Sequence, residues 1–333
     1  MYEAEVGDDV LQEDPTVAAL EALGAEILGK EASLLVPSGT FGNQCALFTH
    51  CSRGSEVVLS EESHIVQHEA GASAVIAGVQ LRTVPRRPAG DGTLSWAEVL
   101  PRLRLTPDIH FPETSLIEVE NATSGGDVAG LASMGEIAAG ARAAGIPVHL
   151  DGARIFNAAA CLGVQAGEIA ARADSVMVCL SKGLCAPVGS LLAGDRGFVG
   201  LARRRRKAMG GGMRQAGVIA AAGLVALRDM VGRLAEDHAT ARHLGEAFLA
   251  TGALDVRPWP PRINMVFVRF RSPAGDREGE ALVAALARRG VLTYPPDGGW
   301  VRFVTHHDAA WPQVEAACRA VPEAVDEALR AAR

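Results

Sequence analysis

Apolar residues recur at helical spacing at Val17, Leu20, Leu23 and Ile27, and Asp14-Pro15 stands just ahead of them. An acceptor side chain followed by proline at the first helical position predicts a helix start there, and Gly29 suits a left-handed exit. Ser33-Leu34-Leu35-Val36 then reads as a short buried strand, followed by Pro37-Ser38-Gly39-Thr40 and a second helix from about Phe41. Beyond it, apolar runs at 56–59, 116–120, 148–150, 175–180 and 190–193 predict strands, with helical patterns such as 134–144 and 155–161 between them. Alternation of this kind implies crossover units and a mainly parallel sheet between helices. After Gly210-Gly211-Gly212 two long helical patterns follow, at 215–229 and 231–250. Residues 265–270, 278–288 and 301–305 read as strand, helix and strand, with a last helix from about Trp311. The expected organisation is α/β: a large domain over 1–232 and a smaller C-terminal α+β domain over 233–333. The length of 333 residues fits two domains.

Composition narrows the function classes. Apolar content of 48% and charged content of 21% fit a globular chain with a sizeable core. A net charge of -7 argues against a general nucleic-acid binder. The run Arg203-Arg204-Arg205-Arg206-Lys207 is the exception, and as a charge run it reads as the solvated or interface end of a helix. The longest apolar run, 216–227, is too short for a bilayer, which needs about 20 residues, and reads as a buried helix. Six cysteines without a C-x-x-C pair fit reduced thiols. The acidic start lacks the regions of a signal peptide, so a cytoplasmic location is expected.

Candidate chemistry lies at two strand ends. Only Lys30, Lys182 and Lys207 represent lysine, and Lys182 directly follows the apolar run ending Val178-Cys179-Leu180-Ser181. Asp151 closes Ile146-Pro147-Val148-His149-Leu150. Ligands of parallel sheets bind outside the carboxyl ends of the strands. An amine that forms a Schiff base, with a carboxylate that keeps a pyridine nitrogen protonated, is what a pyridoxal phosphate enzyme needs. A lysine pKa lies near 10.4, so a neutral amine requires burial or conversion to an imine. Ser38-Gly39-Thr40 offers a helix start to a phosphate. Arg154 and Arg302 are candidates for gripping a substrate carboxylate. Arg214, beside the triple glycine, is a candidate anion ligand. His64 suits stacking on a flat ring combined with proton transfer. His64 and His68 stand one helical turn apart without an obvious third ligand, so no metal site is expected there. His306-His307-Asp308 reads as a polar turn.

Several ordered motifs resemble the L-threonine aldolase family of fold type I pyridoxal-phosphate enzymes. They are Val6-Gly7-Asp8-Asp9-Val10, Asp14-Pro15-Thr16-Val17, Ser38-Gly39-Thr40, and His64 with Glu69-Ala70-Gly71. Further along come Asp151-Gly152-Ala153-Arg154-Ile155-Phe156-Asn157, Cys179-Leu180-Ser181-Lys182-Gly183-Leu184, and Pro187-Val188-Gly189-Ser190. Gly210-Gly211-Gly212-Met213-Arg214-Gln215 and Val301-Arg302-Phe303-Val304-Thr305-His306 complete them. The resemblance implies that Lys182 carries the imine, Asp151 binds the ring nitrogen and His64 stacks on the ring. It implies that Gly39 and Thr40 hold the phosphate, that Arg214 reaches a neighbouring subunit's phosphate, and that Arg154 and Arg302 bind the carboxylate. It also implies a homotetramer, a dimer of dimers with sites at an interface. The implied reaction is cleavage of a β-hydroxy-α-amino acid to glycine and an aldehyde, with His64 as candidate for proton traffic. The chain departs from the family pattern at Leu11, where a tyrosine is usual, and at Thr123, where many members carry a histidine. A serine that seats the carboxylate in the family has no counterpart before Val6. These departures keep β-elimination, racemisation and a non-catalytic cofactor-binding paralogue as alternatives.

Overall fold

Helix Pro15–Leu28 starts on Asp14, whose side chain accepts from the Val17 N–H at 2.9 Å, and ends on Gly29 with φ 62°. The computed structural model describes residues 1–85, 93–271 and 275–331. Asp14 does more than cap: the same carboxylate accepts from the N–H of Gly7 and of Gly217. A Cβ at Gly217 would lie 2.5 Å from Asp14 Oδ1, so glycine is required by this close approach.

The described chain forms two compact units, Met1–Gly232 and Arg233–Arg333. The first contains strands β1 (Ala32–Val36), β2 (Glu56–Ser60), β3 (Gln80–Val84), β4 (Thr114–Glu120), β5 (Val148–Asp151), β6 (Ser175–Cys179) and β7 (Ser190–Gly194). They join in the order β1-β7-β6-β5-β4-β2-β3. β3, β2, β4, β5 and β6 pair in parallel, while β7 runs antiparallel to both β6 and β1. Every residue of β6 and β7 is buried, the near-continuous apolar run expected of a sheet covered on both faces. Each fully buried Leu or Val contributes roughly 1.5–3 kcal/mol. β3 is absent from the sequence expectation because, at the sheet edge, Gln80-Leu81-Arg82-Thr83-Val84 buries only its last residue.

Two expectations change. The basic run does end the helix Arg196–Ala208, with Arg204 and Lys207 exposed, but it is not solvated throughout. Arg206 is 2% exposed and bonds to Asp9 and the Leu35 carbonyl; Arg203 pairs with Glu21, and Arg205 lies over the Phe48 ring. The apolar run at 216–227 forms the helix Gly217–Val225 followed by Ala226–Met230, with Val218 and Val225 exposed, so it is half buried.

The second unit has an antiparallel sheet β10 (Val301–Val304), β9 (Met265–Phe270) and β8 (Leu254–Arg257). Helices Leu234–Ala250, Gly275–Ala287 and Trp311–Ala331 pack on it around Phe248, Val266, Val268, Leu282 and Val321. His306 and His307 are exposed in the turn after β10.

Candidate active site

Parallel pairing of β4 with β5 sets Glu120 opposite Asp151, both at the carboxyl ends of their strands. β6, the next strand, ends at Cys179, and Lys182 follows, half buried, in the connection to β7. Asp151 is 1% exposed. Its Oδ1 accepts from the Ala153 N–H at 3.0 Å and its Oδ2 from Asn43 Nδ2 at 2.7 Å. Asn43 Nδ2 also donates to Glu69 Oε1 at 2.8 Å, and Gln44 Nε2 donates to Glu69 Oε2 at 2.6 Å. Helix Gly39–His50 thus holds two carboxylates from one of its faces.

His64, the first residue of helix His64–Gln67, has Nδ1 2.8 Å from Glu69 Oε1. The Glu69 hydrogen bond raises the proton affinity of the imidazole; burial opposes it, Asp151 adds to it and Lys182 subtracts. Lys182, Asp151 and Arg154 also all act on the Cys179 thiol, whose proton affinity burial raises. The expected trio of His64, Asp151 and Lys182 therefore shares one electrostatic neighbourhood. Donor atoms of His64, Glu69 and Asp151 lie within 4.8 Å of one another, a spacing a metal ion also uses. Asn43, however, aims N–H groups at both carboxylates, where a cation would need lone pairs.

Gly39 opens helix Gly39–His50, capped by the Ser38 hydroxyl on the Phe41 N–H. A Cβ on Gly39 would stand 2.8 Å from Cys179 Sγ, so the helix start abuts the end of β6. Thr40 follows, half buried. Arg154, half buried at the start of helix Ile155–Leu162, acts on Glu120 and Cys179. Arg214 stands apart from this cluster: its side chain is 61% exposed and pairs with Asp8. Arg302 belongs to β10 of the second unit, 5.6 Å from the centre of the Tyr294 ring. Thr123 uses its hydroxyl to accept from the Asp127 N–H at 3.1 Å.

Asn43, Glu118, Glu120, His149 and Ser175 also belong here, and sequence reasoning missed them as functional groups. Glu69 was visible only as part of a motif. Burial and then Asp151 lift the Glu120 carboxyl to about 7, while Ser124 Oγ donates to it at 2.7 Å. Glu118 is 1% exposed, and neither carboxylate oxygen has a partner in good hydrogen-bond geometry among the described residues. Burial first, then Asp151, Glu120 and Glu69, raise its pKa well above 4.5; the Ser63 hydroxyl beside it offsets this only in part. The folded chain keeps this proton while the unfolded chain releases it above about pH 4.5. Stability from the neutral form is complete below that pH and declines as pH rises toward the folded value, by at most about 1.4 kcal/mol per unit. Glu118→Gln, which does not titrate, should gain on the wild type in urea denaturation between pH 4.5 and 7. Parallel curves for the two proteins over that range would contradict a neutral Glu118.

Residues 1–271 match the family model of the β-eliminating lyases. The low specificity L-threonine aldolase of Escherichia coli K12 is 42% identical over 314 residues, 94% of this chain and 90% of that protein. A Cochliobolus carbonum protein named alanine racemase TOXG is 38% identical over 256 residues, 74% of this chain and 65% of the other. The solved threonine aldolase of Leishmania major superposes with a TM-score of 0.76 at 22% identity, covering 96% of this chain and 91% of that one, a likeness of fold. Similarity of this extent means that the chain belongs to the β-eliminating lyase family, in its threonine aldolase group.

Proposed function

We propose that this chain is a pyridoxal-phosphate-dependent carbon–carbon lyase that cleaves a β-hydroxy-α-amino acid such as L-threonine or L-allo-threonine to glycine and an aldehyde. The observation that carries the reading is a buried Asp151 at the end of β5 with Lys182 just beyond the end of the adjacent β6, both acting on His64 and Cys179. The donor set fits the cofactor. Asp151 is buried and held by two N–H groups, an acceptor ready for a ring N–H, and Gly39 leaves a helix start clear of any side chain beside β6.

When bound, pyridoxal phosphate supplies the electron sink that makes cleavage of the bond between Cα and Cβ feasible. Lys182 anchors it through the amine, and Asp151 keeps the ring nitrogen protonated. His64 would stack on the ring, Gly39 and Thr40 would hold the phosphate, and Arg154 would grip the substrate carboxylate. Arg302 as a second carboxylate ligand, and Arg214 as a ligand to a neighbouring subunit's phosphate, rest on the family resemblance. Glu69 biases His64 toward its protonated form, which suits donation. Glu120, whose carboxyl burial lifts to about 7, would serve as acceptor for the β-hydroxyl proton.

A cytoplasmic homotetramer goes with this reading. The exposed Val218 and Val225 on an otherwise apolar helix supply a surface for subunit contact. No helix among the described residues is long and apolar enough to cross a membrane.

Incubating the purified chain with L-threonine, L-allo-threonine and phenylserine tests the reaction. Equimolar glycine and aldehyde are expected. The racemase relative and Thr123 favour a second reading in which another bond at Cα breaks. A keto acid with ammonia, or an accumulating D-amino acid, would establish that reading instead. Cofactor absorbance without any turnover would make the chain a binding paralogue.

A further inference from the structure

Asn43 and His50 lie seven residues apart on helix Gly39–His50, two turns and therefore one face. That face meets His149 on β5 and Ser175 on β6, which are register partners. Asn43, His149 and Ser175 are fully buried. The contacts form an unbroken series. His50 Nε2 is 2.7 Å from Ser175 Oγ, and Ser175 Oγ is 2.8 Å from His149 Nδ1. His149 Nε2 is 3.3 Å from Asn43 Oδ1, and Asn43 Nδ2 reaches Asp151 and Glu69 at 2.7 and 2.8 Å.

The carboxylates fix the direction of every bond in this series. Asn43 faces two acceptor groups, so its amide nitrogen must point at them and its oxygen at His149. His149 Nε2 then carries hydrogen and its Nδ1 is bare, which takes the Ser175 hydroxyl hydrogen. The Ser175 oxygen has only lone pairs left for His50, so His50 Nε2 carries hydrogen as well. Burial agrees, lowering the pKa of His149 to about 3 and of His50 to about 4, so both rings stay neutral. All donors therefore run one way, from His50 to the Asp151 carboxylate, and bonds aligned in series polarise one another.

We propose that His50, Ser175, His149 and Asn43 are positioning residues, a one-way donor relay that keeps an N–H on Asp151 and so holds its carboxylate aimed at the cofactor ring. This rests on the assignment of Asp151 to the ring nitrogen made above. The relay acts through Asp151, as an outer partner orients a metal-binding histidine. Without the Ser175 hydroxyl, His149 is free to move its hydrogen to Nδ1. The ring then loses its hold on the Asn43 oxygen, and the amide, still facing two carboxylates, is less firmly aimed at Asp151.

Two measurements on the full chain decide the proposal. Neutron diffraction of the deuterated protein should show deuterium on His149 Nε2 and none on Nδ1, with the Asn43 amide nitrogen toward Asp151. Deuterium on Nδ1, or a reversed amide, would overturn the relay whether or not the cofactor binds, and also if the variants fail to fold. In absorbance titrations with pyridoxal phosphate, Ser175→Ala should bind about tenfold more weakly and show a shifted absorbance maximum, both restored in Ser175→Thr. Unchanged affinity and spectrum in a folded Ser175→Ala protein would mean that the series has no hold on Asp151. A wild-type chain that binds no pyridoxal phosphate would sink the cofactor reading separately, leaving the neutron map to decide the relay's direction.

Discussion

Lys182→Ala should remove the yellow absorbance of bound pyridoxal phosphate and lower aldehyde release from L-threonine by roughly 10³- to 10⁴-fold. The amine anchors the cofactor in the proposed reaction, and alanine cannot form that bond. No other lysine is placed to substitute. Lys30 precedes β1 and donates to the Ala173 carbonyl at 2.5 Å, where burial lowers its pKa against Asp174 and Asp195. Lys207 lies on the helix Arg196–Ala208. Lys30→Ala should therefore keep the absorbance and serves as the control. A Lys182→Ala protein that remains yellow and releases aldehyde at the wild-type rate would remove Lys182 from the chemistry. It would also leave the strand-end pairing with Asp151 without a functional meaning.

Asp151 and Lys182 are legible in the sequence because each closes an apolar run, and the ends of buried strands are where a parallel sheet exposes its chemistry. The helix caps at Asp14 and Gly29 are legible for a similar reason: their signals are local, within three or four residues. The relay is not local. Asn43 meets Asp151 across 108 residues and His149 across 106, and His149 within an apolar strand reads only as an interruption of the run. Glu118 is hidden in the same way. A charged residue between Ile117 and Val119 suggests an outward face, and only the sheet shows both faces covered. The half-buried helix Gly217–Val225 misleads in the opposite sense, since apolar composition on all sides does not reveal which side the chain itself covers.

The buried member of the basic run, Arg206, yields the second strong expectation. Arg206→Ala, or Asp9→Ala, should destabilise the protein by about 3–5 kcal/mol, read as a lower midpoint in urea. Arg206 is 2% exposed and Asp9 likewise, with Arg206 to Asp9 Oδ2 at 2.7 Å and Arg206 to the Leu35 carbonyl at 2.7 Å. Removing either partner leaves the other charge buried with its desolvation uncompensated, apart from Arg203 at 3.7 Å from Asp9 Oδ1. Sequence patterning placed this charge run at the surface because its partner lies 197 residues away, in the segment before the first long helix. The pair ties Val6-Gly7-Asp8-Asp9-Val10 to the helix Arg196–Ala208, and the Asp9 N–H donates to the Arg214 carbonyl alongside it. The double change Asp9→Leu with Arg206→Met should cost much less than the two single changes added together. Apolar groups of similar size avoid the desolvation cost that each single change exposes. If instead the double variant loses the full sum, the two residues act independently. The stability of this corner would then come from packing around the side chains rather than from the buried ion pair.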